Sequence, residues 1–195
     1  MFPFRVLQIS ERSVLSEDEL LARVRRGGPQ FAVLVRDPEL SARAQLEQGR
    51  RLRQATQRVG GGLLVADRID LALVLDADGV HLGRASVSLE DARFLLKERI
   101  VTRSVHELIE VEQQLAAWPD AVLMSPIFAS PGKGVPLGLA ALRRARDCLP
   151  PAVRLVALGG VTRVNAAACF DAGADAVASI RADLSGVCDS VLGRA

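Results

Sequence analysis

Few side chains in this sequence can do chemistry, and they recur at one kind of place. Arg36, Asp67, Ser104 with His106, Ser130 with Lys133, Gly159-Gly160, and Ser179-Ile180 with Arg181 all lie at or just beyond the end of a short apolar run. Arginine and lysine neutralise an anion, and an imidazole, here that of His106, can give or take a proton. Adjacent glycines let backbone N–H groups come close to an anion. The set suits a phosphorylated ligand with a proton to move. It lacks a pair of acids for a two-carboxylate mechanism, and Asp67 is the one clear acid in such a position, so no tidy divalent cage is offered. Blander readings stand beside these. Asp67 also fits as a cap on the helix that follows it, Lys133 as a solvated loop lysine, and Gly159-Gly160 as a tight turn only. His81, inside an apolar run, reads as a packed or hydrogen-bonded histidine. Asp70, Asp76 and Asp78 read as helix-end and loop charges.

Eight apolar runs must position these residues, at 4–9, 31–35, 63–66, 79–82, 100–104, 121–124, 155–158 and 174–178. Each is too short for a helix and is mainly apolar without strict alternation, as a parallel strand buried on both faces should be. Between them lie amphipathic or capped stretches at 16–26, 39–59, 69–75, 88–97, 107–117, 139–148 and 163–172, and a closing one at 183–192. Ser16 and Ser88 read as helix caps followed by acids. Strand and helix alternating eight times predicts a compact (β/α)8 TIM barrel, one domain over 1–195 and lean for its kind. In such barrels the functional residues lie at the C-terminal ends of the strands. The runs at 155–158 and 174–178 become strands seven and eight, where Gly159, Gly160, Ser179 and Ile180 would form a phosphate cup, with Arg181 beside it. The longest irregular segment, 125–136, holds three prolines and two glycines and reads as an active-site loop.

Composition narrows the class further. Hydrophobic residues make up 49% and charged residues 25% of 195, with a net charge of +2, which is a soluble globular chain. The arginines are spread along the chain and aromatics are scarce, so nucleic acid is not an expected partner. No run reaches the length of a membrane span, and the first residues lack a basic start followed by a long apolar core. Cys148, Cys169 and Cys188 have no metal spacing. With His81 and His106 as the two histidines, little material remains for a zinc site. A cytoplasmic protein with reduced thiols is expected.

Several stretches, in order, carry a resemblance: VADRIDLAL (65–73), ADGVHLG (77–83), RSVHELIE (103–110), SPIFASPGKG (125–134), VALGGVTRVNA (156–166) and AGADAVASI (172–180). Together they resemble the thiamine phosphate synthase/TenI superfamily over residues 31–182. The resemblance implies a barrel binding a phosphorylated thiazole or thiamine, with Gly159, Gly160, Ser179 and Ile180 on the phosphate. It also implies a homodimer as a possible assembly. The synthases join a pyrimidine diphosphate to a thiazole phosphate with magnesium, and the chain departs from their pattern. Their Gln-Leu-Arg-Glu-Lys run reads Leu34-Val35-Arg36-Asp37-Pro38, and their Asn-Asp pair reads Ala66-Asp67. Their second magnesium carboxylate falls near Ser86, and their Thr-x-Thr-Lys loop reads Ser130-Pro131-Gly132-Lys133. Losing a lysine and a carboxylate from a site for magnesium and diphosphate should cost most of that activity. The expectation is therefore a TenI-like protein that binds a thiazole phosphate or thiamine phosphate and needs no cofactor, with thiazole tautomerisation as its candidate activity, His106, Ser104 and Lys133 as candidate catalytic residues, and Arg36, Asp67 and Ser130 on the substrate. The tautomerase's own histidine position is Pro126 here. The alternatives are a synthase, with Mg²⁺ on Asp67, and a non-catalytic phosphate binder.

Overall fold

The computed structural model describes residues 1–113 and 117–187. Its eight strands are β1 Val6–Ile9, β2 Phe31–Val35, β3 Gly62–Ala66, β4 Gly79–Leu82, β5 Ile100–Val105, β6 Ala121–Met124, β7 Arg154–Leu158 and β8 Ala176–Ser179. They run parallel and close in sequence order into a barrel, β8 pairing back onto β1 with Gln8 opposite Ser179. The helices between them are α1 Glu17–Gly27, α2 Ala42–Arg58, α3 Ile69–Val74, α4 Leu89–Leu96, α5 Ile109–Glu112, α6 Gly138–Cys148 and α7 Ala166–Asp171.

Continuous apolar strands make sense because both faces are covered. Leu7, Ile9, Leu34, Leu64, Leu123 and Val156 fill the barrel interior, while Val6, Val33, Val65, Val122 and Val177 pack outward under the helices. Period-two alternation sends each apolar neighbour to the opposite layer.

Helix starts follow side-chain caps. Ser16, Ser41 and Ser88 accept the N–H groups of Glu19, Ala44 and Asp91. The Ser41 cap is why α2 begins at Ala42 and not at residue 39. Helix α5 is four residues, shorter than the stretch expected at 107–117, of which 114–116 lie outside the described residues. The closing helix expected over 183–192 also lies largely outside them.

The N-terminal end of the barrel carries a repeated device. Asp78, Asp120 and Asp175 each precede an even-numbered strand. Asp78 Oδ2 accepts Leu63 N–H at 2.7 Å and Arg53 Nη1 at 2.8 Å. Asp120 Oδ2 accepts Val101 N–H at 2.9 Å and Arg93 Nη2 at 2.7 Å. Asp175 Oδ2 accepts Leu155 N–H at 2.8 Å and Arg146 Nη1 at 3.1 Å. Each carboxylate thus ties an odd strand, the next even strand and a helix arginine together. Asp78 is therefore not a loose loop charge. Ahead of β2 the same place is held by Gln30.

Candidate functional site

At the opposite end, where the strands finish, a cavity of about 600 Å³ opens. Arg36, Asp67, Ser104, His106, Ser130, Lys133, Gly159, Gly160, Ser179, Ile180 and Arg181 all line it. So do Glu11, Arg84 and Thr162, which sequence reasoning passed over, and His81 from within β4.

The wall after β7 and β8 is made of backbone. Gly159 and Gly160 both have positive φ, 93° and 64°, a region that favours glycine. A Cβ on Gly160 would sit 2.6 Å from Ala129 O, and one on Gly159 2.7 Å from Pro126 Cα. The glycines are needed because segment 125–136 crosses directly over them, pinned by Ile127 N–H to Leu158 O and Phe128 N–H to Gly159 O, each at 2.9 Å. Asn165 Nδ2 ties back Gly160 O at 3.0 Å. Among the described residues, no backbone acceptor takes the N–H groups of Gly160, Ile180 or Arg181. Ala182 N–H is taken by Ser179 Oγ at 2.8 Å. The pair is thus a turn, and it also brings unengaged donors to a cavity wall.

Across the cavity stand residues after β2, β3 and β4. Arg36 pairs with Glu11 at 3.3 Å, both partly exposed. Asp67 has φ 60° and does not cap α3, whose N-terminus has no side-chain cap. Its carboxylate turns instead to the loop after β4, accepting Gly83 N–H at 3.2 Å and a short bond from Ser86 Oγ. Arg84 lies beyond, 3.7 Å from Glu110 and 3.8 Å from Glu107. No cluster of three or more His, Cys, Asp or Glu forms among the described residues. Magnesium commonly takes one or two carboxylates, with substrate phosphates supplying further oxygens. Asp67 with the adjacent Ser86 hydroxyl fits an ion that arrives with a diphosphate, and does not fit an all-protein cage.

Between the two walls lie the histidines. Thr102 Oγ1 donates to Val80 O at 3.3 Å, so it accepts from His81 Nδ1 at 2.9 Å. His81 Nε2 is then the acceptor for the Ser104 hydroxyl, also 2.9 Å away. Burial pushes the His81 imidazole down to about 4, against the opposing pull of the Asp67 charge. His81 is thus a neutral acceptor that orients Ser104, as a packed, hydrogen-bonded histidine should be. His106 Nδ1 lies 3.1 Å from Ser125 O, an acceptor only, so Nδ1 carries the proton and Nε2 is left for the cavity. Lys133 and Arg181 pair with no acid among the described residues.

Two further residues were missed. Gln8 is buried on β1, and Arg23 is buried on α1. A glutamine inside the apolar run 4–9 was the signal that could have raised the first.

Comparisons agree with this picture. The thiamine monophosphate synthase model, TMP-TENI, matches residues 9–182. The chain is 37% identical to the thiamine-phosphate synthase of Chloroflexus aurantiacus over 158 residues, covering 80% of this chain and 72% of that one. It is 39% identical to that of Gloeobacter violaceus, covering 77% of this chain but less than half, 44%, of that longer protein. A thiamine phosphate pyrophosphorylase from Pyrococcus furiosus superposes with a TM-score of 0.84 at 27% identity, covering 98% of this chain and 95% of the other. All three of these relatives bear synthase or pyrophosphorylase names, and none carries a TenI name. With its barrel closed in order and the family model matched over residues 9–182, the chain belongs to the thiamine monophosphate synthase family.

Proposed function

We propose that this barrel joins a pyrimidine diphosphate to a thiazole phosphate with release of diphosphate, the reaction of thiamine phosphate synthase. One observation carries the reading: a single cavity has two walls suited to anions, on opposite sides of the ring. The backbone donors of Gly160, Ile180 and Arg181 follow β7 and β8. Arg36, Asp67 and Arg84 follow β2, β3 and β4. In a closed ring of eight strands, β3 lies across from β7. A reaction that brings two phosphorylated substrates together needs two such walls, and an isomerase acting on one phosphate needs one.

The roles follow from position. Gly159, Gly160, Ser179, Ile180 and Arg181 hold the thiazole phosphate. Arg36 and Arg84 draw in the diphosphate, and Lys133 and Ser130 reach it from the loop above. A magnesium ion on Asp67 would spread the charge that grows on the diphosphate as it leaves. Ser104, with its proton directed to His81, presents oxygen lone pairs to a donor on the substrate. Ser86 and Pro38 leave this wall one carboxylate and one lysine short of the synthase pattern, and Ala66 one amide short, so the remaining Arg36, Arg84 and Lys133 bear more of the leaving-group stabilisation.

A second reading is supported by His106. Its open Nε2, with Nδ1 held by Ser125, suits a base that shuttles one proton in a TenI-like thiazole tautomerase. One assay separates the two. Purified protein is given both substrates with and without magnesium, and diphosphate and thiamine phosphate are followed. Magnesium-dependent diphosphate release is the expected result. No release, together with ring-proton exchange into deuterated solvent that is lost in His106→Ala, would put the tautomerase first. Binding without either would leave a phosphate binder.

A further inference from the structure

The loop after β8 is held from behind by two buried side chains that no motif of the family points to. Gln8 Nε2 donates to Ser179 O and to Ile180 O, each at 2.9 Å. Arg23 Nη1 donates to Arg181 O at 3.1 Å and to Gln8 Oε1 at 3.1 Å. Arg23 Nε meets Glu19 at 3.2 Å. Gln8 is 1% exposed and Arg23 8%. Three consecutive carbonyls of the cavity wall therefore accept from one linked pair of donors.

The direction of those carbonyls sets what the cavity meets. Gln8 lies between Leu7 and Ile9, which point into the barrel, so by alternation Gln8 points outward, under α1. It draws the carbonyls of Ser179 and Ile180 toward the helix layer. In a planar trans peptide the N–H lies opposite the C=O. The N–H groups of Ile180 and Arg181 are thereby turned away from the helices and toward the cavity, which both residues line. A loop with free carbonyls could rotate its peptides and present oxygen to an anion, which would repel it. Arg23 adds a positive charge in a low-dielectric layer behind the same peptides, with half-exposed Glu19 as its partner.

We propose that Gln8 and Arg23 form a rear clamp that fixes the β8 loop as an anion receptor and sets this protein's affinity for the phosphate of its thiazole-type substrate. The inference rests on the phosphate-cup reading above. Both are positioning residues, acting through the peptides of Ser179, Ile180 and Arg181.

The test measures binding of inorganic phosphate by calorimetry to the wild-type protein and to Gln8→Leu, Arg23→Lys and Gly160→Ala. Steady-state KM values are measured for each phosphorylated substrate in parallel. Phosphate affinity is expected to fall by about tenfold in Gln8→Leu, the scale of losing hydrogen bonds that order a charged site. A smaller fall is expected in Arg23→Lys, which keeps the charge and loses the fork. The KM for thiazole phosphate should rise while that for the pyrimidine diphosphate stays, a selectivity that a general loss of stability would not produce. Loss of phosphate binding in Gly160→Ala with no change in Gln8→Leu and Arg23→Lys would overturn the clamp and leave the cup standing. No phosphate binding by the wild type, or none of it sensitive to Gly160→Ala, would overturn the cup and the clamp with it. Should Gln8→Leu fail to fold, unchanged phosphate affinity in Arg23→Lys overturns the clamp by itself.

Discussion

At the N-terminal end of the barrel, Asp78, Asp120 and Asp175 each meet an arginine and a strand N–H. At the C-terminal end, Lys133 and Arg181 meet no acid among the described residues, and Arg36 has a single exposed partner. Both ends are built from the same residue types. The difference is closure. A carboxylate that takes a guanidinium and a backbone donor at once has its acceptor sites used, and the geometry is fixed by three elements. At the C-terminal end Lys133, Arg181 and the N–H groups of Gly160, Ile180 and Arg181 stay unengaged among the described residues, and Asp67 meets only Gly83 N–H and Ser86 Oγ. Charge count alone does not separate a stabilising network from a binding site; the number of unfilled partners does.

The comparison can be broken or sharpened by changing one end and reading both. The largest effect belongs to Asp175→Ala, which leaves Leu155 N–H without its acceptor and takes the counter-charge from Arg154 and Arg146, the latter keeping the carbonyls of Leu149, Pro150 and Val153. A loss of about 3 kcal/mol in urea unfolding is expected, with phosphate affinity nearly unchanged. Acid then separates the ends by order. His81 has a depressed pKa, so between pH 6.5 and about 4 the unfolded chain takes up a proton that the native chain refuses. Stability should fall as pH drops through that window, by at most about 3 kcal/mol, and the slope should vanish in His81→Asn. The Asp120 carboxyl resists longer. Burial raises its pKa, but Val101 N–H and Arg93 outweigh that and hold it below the ordinary 3.8. Its contribution is present above that value and is lost only as pH falls further. The mirror of Asp175→Ala is Lys133→Ala. Turnover should fall by about a hundredfold, close to 2.7 kcal/mol in the barrier, while the melting temperature stays in place. The smallest effect is Ser86→Asp, which sets a second carboxylate beside Asp67. Half-saturation by magnesium should drop several-fold, roughly, and without metal the two like charges should lower stability by a few tenths of a kcal/mol, roughly.

The barrel was legible because its strands are buried on both faces, so β2, β4 and β6 stand out as short apolar runs with clear ends. Helix ends were legible where a serine cap faced an acid, at Ser16 and Ser88, and less so at Ser41, where the first turn of α2 has no acid. The cavity residues were legible because a barrel places its strand ends on one rim, and position alone gathers Arg36, Ser104 and Lys133. Gln8, Arg23 and the Asp67–Ser86 contact were not legible, since each depends on which way a side chain or carbonyl turns. The reading of Asp67 as a helix cap failed for the same reason: its left-handed φ swings the carboxylate to the next loop. The TenI-like expectation leaned on missing residues such as Ala66 and Ser86. The relatives at 37% and 39% identity are named as synthases, which favours the alternative reading over the TenI-like one.

The carboxylate ties skip one of the four odd–even strand pairs. They stitch β3 to β4, β5 to β6 and β7 to β8, while Gln30 leaves β1 and β2 without one. The ring closes beside that pair, at β8 against β1, where Gln8 and Arg23 reach across to the last loop. A ligand lodged on Ser179–Arg181 therefore acts as a latch on the fold's final joint. Any free energy it gains there is also resistance to the barrel springing open. Amide hydrogens along β1 and β8 should then exchange more slowly in the occupied protein, and those of β5 and β6 should barely notice.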